Sequence, residues 1–175
     1  ISIKDAFPVL SHLTDAELAS IPCAYGTAEN MLIKTGVTRK HHILVTGGSG
    51  FIGHHFLHHI LETTDFNAIV LYRNNKDRIP DSERIRSLRI DLSDPLNLEI
   101  ENIHYIVHMA AETYVDASLR DSLPFVRSNV VATANLLEWI KQHHPTTKTC
   151  LFSSDEVMGP APEGVYFTES DLRKP

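Results

Sequence analysis

Cysteine is scarce in this chain: Cys23 and Cys150 are the only two among 175 residues. A pair so widely separated excludes a disulfide-stapled scaffold and points to a reducing compartment, expected to be the cytoplasm. Long hydrophobic runs are missing as well. No apolar stretch approaches the ~20 residues a membrane-spanning helix requires, and the N-terminus shows no secretory signal pattern. Positive charge is in deficit: 16 Lys and Arg against 22 Asp and Glu leave a net charge of −6, without a basic cluster. That argues against nucleic acid and anionic membrane as partners, since both attract basic surfaces. Internal repeats and low-complexity tracts are absent too. The first residue is Ile1 rather than Met, so the chain is expected to be processed or to be a fragment.

What remains is the composition of a soluble globular domain, with a chain long enough to bury a core. Residues 1–40 are expected to be an N-terminal extension or linker. Thr14-Asp15-Ala16-Glu17 has the spacing of a capping box and predicts a short helix through Ser20. A second is predicted from Thr27 to Thr35, stopped by Gly36. From residue 41 to 175 the pattern changes to alternating strands and helices. Strands are predicted at His42–Thr46, Asn67–Tyr72, Ile85–Ile90, Tyr105–Met109 and Thr149–Ser153. Helices are predicted from Phe51 to Glu62, with Ile52, Phe56, Leu57, Ile60 and Leu61 along one side, and from Pro124 to His144. Short apolar strands separated by helices imply right-handed crossovers and a parallel sheet. The expected fold is therefore α/β, a Rossmann-type doubly wound parallel sheet, incomplete at its C-terminus.

The turn after the first strand carries the chemistry. Gly48-Ser49-Gly50-Phe51-Ile52-Gly53 fits G-x-G-x-x-G, and Gly47, Gly50 and Gly53 also fit G-x-x-G-x-x-G. Glycines permit the tight turn and let backbone N–H groups approach a pyrophosphate, which the following helix N-terminus favours electrostatically. Gly53 is expected to let the helix lie close to the sheet. At the end of the second strand an acidic residue normally binds the adenosine ribose, whereas an arginine accommodates a 2′-phosphate. Here the strand ends Leu71-Tyr72-Arg73-Asn74-Asn75, and Arg73 takes the acidic position. NAD is the expected cofactor, with NADP possible because of Arg73. The alternative is a solvated arginine one residue out of register.

Five ordered motifs bring a family into view. To the glycine turn are added Asp91-Leu92-Ser93-Asp94, the segment from His108 to Leu119 with its Ala110-Ala111-Glu112, the helix Ser128–Glu138, and Phe152-Ser153-Ser154-Asp155-Glu156-Val157-Met158-Gly159. Together they resemble the NAD-dependent epimerases and dehydratases of the extended short-chain dehydrogenase family, most nearly the dTDP-glucose 4,6-dehydratases, over residues 42–175. The resemblance implies that Gly47, Gly50, Phe51, Ile52 and Gly53 hold the pyrophosphate. Asp91 and Leu92 would sit by the adenine, and Ala110, Ala111 and Thr113 would line the ribose side. Ser154 would hydrogen-bond the sugar 4-hydroxyl, Asp155 protonate the leaving 6-hydroxyl and Glu156 remove the C5 proton. The implied reaction is hydride transfer at C4 with water loss across C5–C6 of a nucleotide sugar such as dTDP-glucose or UDP-glucose. Dehydration needs one proton donor and one acceptor, which two carboxyl groups in unlike environments provide. A plain hydrogen-bonded turn with Asp155 as its cap is the competing view of that segment.

The chain also departs from the family. A Tyr-x-x-x-Lys helix, which in the family supplies the base for the 4-hydroxyl, would follow the Ser154 motif, and the sequence ends at Lys174-Pro175 before it. This chain alone is therefore expected to be inactive. Tyr72 and Lys76 share the spacing by coincidence, in a loop upstream of Ser154. Tyr114, Met158 and Ala132 stand where the family usually has histidine, tyrosine and glycine. Related alternatives are an epimerase or reductase of the same fold, or a dinucleotide-binding subunit without catalysis. The resemblance further implies a homodimer for a full-length protein, formed through the 124–144 helix and the absent one, and weak association for this chain. Eleven histidines suggest metal, and His54, His55, His58 and His59 offer i, i+4 pairs, but no third ligand is placed as in H-E-x-x-H. They are expected on the solvent face, with no metal site, and His108 is expected to pack beneath the cofactor edge.

Overall fold

A computed structural model describes residues 41–164, 166–168 and 171; the expected helices of residues 14–20 and 27–35 lie outside the described residues. Five parallel strands form one sheet in the order β3-β2-β1-β4-β5. They are β1 (His42–Thr46), β2 (Asn67–Tyr72), β3 (Ile85–Arg89), β4 (Tyr105–His108) and β5 (Lys148–Leu151). Registers such as Leu44 opposite Ile69 and Ile106 set the strand ends side by side. These are the first five positions of the Rossmann strand order, which reverses between β1 and β4.

Alternation along the strands divides the core in two. Ile43, Val45, Ala68 and Val70 face α1 (Phe51–Thr63), where they meet Phe56, Leu57 and Ile60. On the opposite face Leu44, Leu71 and Ile106 meet Ala132, Leu136, Trp139 and Ile140 of α4 (Ala132–His143). Burying each such large side chain contributes roughly 1.5–3 kcal/mol before the entropy of ordering it. Trp139 also donates its indole N–H to the Leu98 carbonyl at 3.1 Å, so its polar edge is not stranded in the core.

No glycine ends α1. Instead Thr64 donates both its amide (3.1 Å) and its hydroxyl (2.6 Å) to Ile60 O, while the Arg84 guanidinium donates to the Leu61 and Thr64 carbonyls. A cation on the orphan carbonyls suits the negative end of the helix. Between β4 and β5 come α2 (Val115–Arg120), α3 (Leu123–Phe125), a π-helical stretch (Val126–Val131) and α4. Helical dihedrals persist at both junctions, so residues 123–143 make one uninterrupted helical run. The long helix expected there is present, with a π segment that periodicity does not announce. β5 runs over Lys148–Leu151 rather than 149–153, because Phe152 bonds to His108 O beyond the end of the ladder and the chain then turns.

Candidate functional site

Open parallel sheets bind ligands beyond the carboxyl ends of their strands, at the point where strand order reverses. Here that point is the gap between Thr46 and His108. Gly47 fills it with φ +70°, a left-handed conformation that a side chain disfavours. A Cβ on Gly47 would lie 2.6 Å from Ala110 N and 2.7 Å from Met109 C, inside the neighbouring backbone. Gly50 accepts from His54 N at 2.9 Å and caps α1 without any side chain. A Cβ on Gly53 would collide with the Gly47 carbonyl and stand 2.6 Å from Gly48 Cα. The glycines thus press the first turn of α1 onto the loop and leave its N-terminal amides uncovered by side chains. Those amides have no partner within the helix, which is the chemistry that holds a diphosphate. The cradle fits a dinucleotide.

Two of the cavities that border this turn share a wall. The smaller, about 200 Å³, is lined by Gly47, Ser49, Gly50, Tyr72, Arg73, Asp91, Leu92, Ala110, Ala111, Glu112 and Ser128, among others. The larger, about 750 Å³, is lined by Ile52, Met109–Thr113, Asn129, Thr133, Ser154 and Glu156, among others. They share the strip Met109–Glu112. So Gly47, Gly50, Arg73, Asp91, Leu92, Ala110 and Ala111 gather around one cleft, and Ile52, Thr113, Ser154 and Glu156 around its neighbour. Gly53 is a packing residue beneath the turn, and the half-exposed ring of Phe51 stands edge-on to His55 at 5.0 Å. Asp155 opens the 3₁₀ turn Asp155–Met158. That turn is capped by Ser154, whose Oγ accepts from Glu156 N at 3.2 Å, rather than by Asp155.

Polar contacts fix the walls. Arg73 donates to Ser128 Oγ at 2.9 Å and to Glu112 Oε1 at 2.5 Å, spanning the smaller cleft. Asn129 exchanges two 2.8 Å bonds with the Glu112 backbone, accepting from its N–H and donating to its carbonyl. Asp91 accepts from the amide of Ser93 at 2.9 Å and from its hydroxyl at 2.8 Å, and these bonds hold its carboxyl below the ordinary carboxylate value. His108, only 3% exposed, is hydrogen-bonded through Nδ1 to Thr46 Oγ1 (2.6 Å) and through Nε2 to Thr133 Oγ1 (3.0 Å). Thr46 Oγ1 also accepts from Ala110 N. Burial lowers the His108 pKa, so the ring is neutral at physiological pH.

Sequence reasoning did not single out Ser49, Tyr72, Glu112, Ser128, Asn129 or Thr133 as lining residues. Glu112, Ser128 and Asn129 lie inside segments that carry the family resemblance, and their polarity among apolar neighbours was the available signal. The α1 histidines are half-buried rather than on an open solvent face. His54 donates to the Arg78 carbonyl at 2.6 Å and meets His58 edge-on, with centroids 4.5 Å apart. Among the described residues no three His, Cys, Asp or Glu side chains converge as metal ligands, and no helix is long and apolar enough to cross a membrane.

Comparison with known proteins identifies the family and agrees with the fold. Residues 43–175 match the model of the "NAD dependent epimerase/dehydratase family". The chain is 36% identical over 125 residues to dTDP-glucose 4,6-dehydratase of Mycolicibacterium smegmatis, covering 67% of this chain and 37% of that protein. It therefore spans well under half the length of that relative. Among solved structures, DesIV, a dTDP-glucose 4,6-dehydratase from Streptomyces venezuelae with NAD bound, superposes with TM-score 0.66 at 32% identity, covering 75% of this chain and 45% of that one. MoeE5 in complex with UDP-glucose and NAD superposes with TM-score 0.62 at 30% identity, covering 76% and 42%.

Proposed function

This chain belongs to the NAD-dependent epimerase/dehydratase family, and from that premise we propose that it is the cofactor-binding portion of an NAD(P)-dependent nucleotide-sugar 4,6-dehydratase. The observation that carries the reading is that Ser154 and Glu156 line the cavity next to the dinucleotide cleft, in company with Ile52 of the glycine turn. A volume of about 750 Å³ suits a small organic substrate. The relatives named dTDP-glucose 4,6-dehydratase, and the neighbours holding NAD with UDP-glucose, support the substrate class.

In this reading the bound nicotinamide supplies hydride exchange at sugar C4 and C6. The protein's part is position and proton transfer. The helix N-terminus and the Gly47–Gly50 backbone hold the diphosphate, while Asp91 and Leu92 border the adenine. Ser154, fixed by its cap on Glu156 N, presents its hydroxyl to the 4-hydroxyl. Asp155 gives a proton to the departing 6-hydroxyl, and Glu156 takes the proton from C5. The full protein acts as a cytoplasmic homodimer, joined along the exposed apolar stripe Leu123, Val130 and Leu137, which recurs every seventh residue of the helical run.

The test is to extend this chain with the region beyond residue 175 that the relatives possess, and to assay it on dTDP-glucose and UDP-glucose. A product one water lighter, carrying a 4-keto group, is expected. Inversion at C4 without loss of water would make it an epimerase instead. Glu156→Gln should lower kcat by the roughly 10²–10⁴-fold that a general base contributes.

A further inference from the structure

Beyond the open end of β2 lies a third cavity, about 280 Å³, lined by Ser49, Arg73, Asn74, Asn75 and Arg78. It shares Ser49 and Arg73 with the smaller cleft, so the two are neighbours across one wall. We propose that this basic pocket receives the 2′-phosphate of the adenosine ribose, so that the chain binds NADP more tightly than NAD. The inference rests on the dinucleotide reading above and departs from the NAD-bound relatives at this one subsite.

Three features point to the phosphate. First, the segment leaving β2 has no carboxylate from Tyr72 to Lys76, so the acid that accepts from both ribose hydroxyls in an NAD-selective site is missing there. The first acid, Asp77, is occupied within its own loop: its carboxylate accepts from Asn75 Nδ2 at 2.9 Å and its amide donates to Asn75 Oδ1 at 2.7 Å. Second, every side chain lining the pocket can donate a hydrogen bond, and two of them are guanidinium groups, the group best matched to a phosphate. Third, the loop is built in advance. Its turn closes through Ile79 N to Lys76 O at 2.8 Å, and His54 of α1 holds the Arg78 carbonyl at 2.6 Å. That contact anchors the Arg78 backbone beside the glycine turn.

The ion pair between Arg73 and Glu112 does not oppose this. Both side chains are about two-fifths exposed, 43% and 38%, and such pairs are weak. A phosphate dianion flanked by two guanidiniums competes well with one solvated carboxylate.

The test is calorimetric titration of the 175-residue chain with NADP and NAD, and with 2′,5′-ADP and 5′-ADP. The expected result is at least a tenfold tighter Kd for each 2′-phosphorylated ligand. Arg73→Ala and Arg78→Ala, each checked for native circular dichroism, should bring that ratio close to one. Binding of NAD with no preference for NADP overturns the inference alone, as does a preference that survives both substitutions. Binding of neither dinucleotide overturns the cofactor reading together with it.

Discussion

Gly47→Ala is the substitution that best tests how the turn is built. Two costs arise at this position. A Cβ in the left-handed region costs roughly 1–2 kcal/mol. At φ +70° the new methyl would also lie 2.6 Å from Ala110 N and 2.8 Å from Ala110 Cα, both backbone atoms that cannot swing away. Forcing such a group into packed surroundings costs roughly a further 1–3 kcal/mol. Gly164 supplies the control. It too has positive φ, at 76°, yet nothing lies within 4 Å of its hypothetical Cβ. Gly164→Ala should pay only the backbone term, and the gain from restricting the unfolded chain is common to both and cancels. Urea unfolding followed by the fluorescence of Trp139, the chain's single tryptophan and a buried one, reads both variants. Gly47→Ala should be the less stable by about 1–3 kcal/mol, roughly 5–150-fold in the unfolding constant, and should also weaken dinucleotide binding. Equal stability of the two variants would show that the close approach of Gly47 to the end of β4 is not real.

Two further outcomes are expected. His108 has a folded pKa lowered by burial from its ordinary 6.5, so the unfolded chain binds its proton first. Its contribution to stability is complete above about pH 6.5 and is lost as pH falls through that value toward the lowered folded one. His108→Gln should flatten the stability profile between pH 8 and 5 by at most about 1.4 kcal/mol per pH unit; an unchanged slope would refute the assignment. Val130 is 61% exposed on the apolar stripe, and Val130→Asp in the extended protein should shift sedimentation velocity from dimer to monomer without changing the midpoint of cofactor binding. A dimer that persists would move the interface elsewhere.

Much of the architecture was legible because periodicity and loop chemistry agreed. β1 and β2 fall on the residues that their apolar runs mark, and α1 begins at the residue after the last glycine of its loop. The π-helical stretch was not legible: nothing in the run Val126–Val131 departs from an ordinary helix pattern, and the bonds of Asn129 to the Glu112 backbone join residues 17 apart. The cap on the Asp155 turn belongs to Ser154, since an N-cap oxygen must reach the amide two residues on, and a turn opening at Asp155 makes that residue Ser154. Nor does the one-dimensional pattern reveal that Arg73 crosses the cleft to Glu112, 39 residues away. The half-buried histidines were missed for a related reason, because the loop that covers His54 comes from beyond β2.

The strip Met109–Glu112, which borders both cavities, is held unequally along its length. At its inner end the contacts are stiff: Gly47 touches Met109 and Ala110 through backbone, and the buried Thr46–His108–Thr133 chain ties β1, β4 and α4 together beneath it. A neutral ring with both nitrogens bonded costs little to keep buried and much to disturb. At its outer end Glu112 is fixed through its backbone by Asn129, but its carboxylate meets Arg73 only in a solvated pair. Under the proposed reading the cofactor and the sugar both rest against this strip, and its stiff end limits the displacements of an ångström that are costly to catalysis. At the soft end Arg73 can change partner without moving β1 or β4, because its bonds go to the side chains of Ser128 and Glu112. Under that reading a change of cofactor preference at Arg73 leaves the Thr46–His108–Thr133 chain untouched, because the Arg73 side chain bonds Ser128 and Glu112 instead.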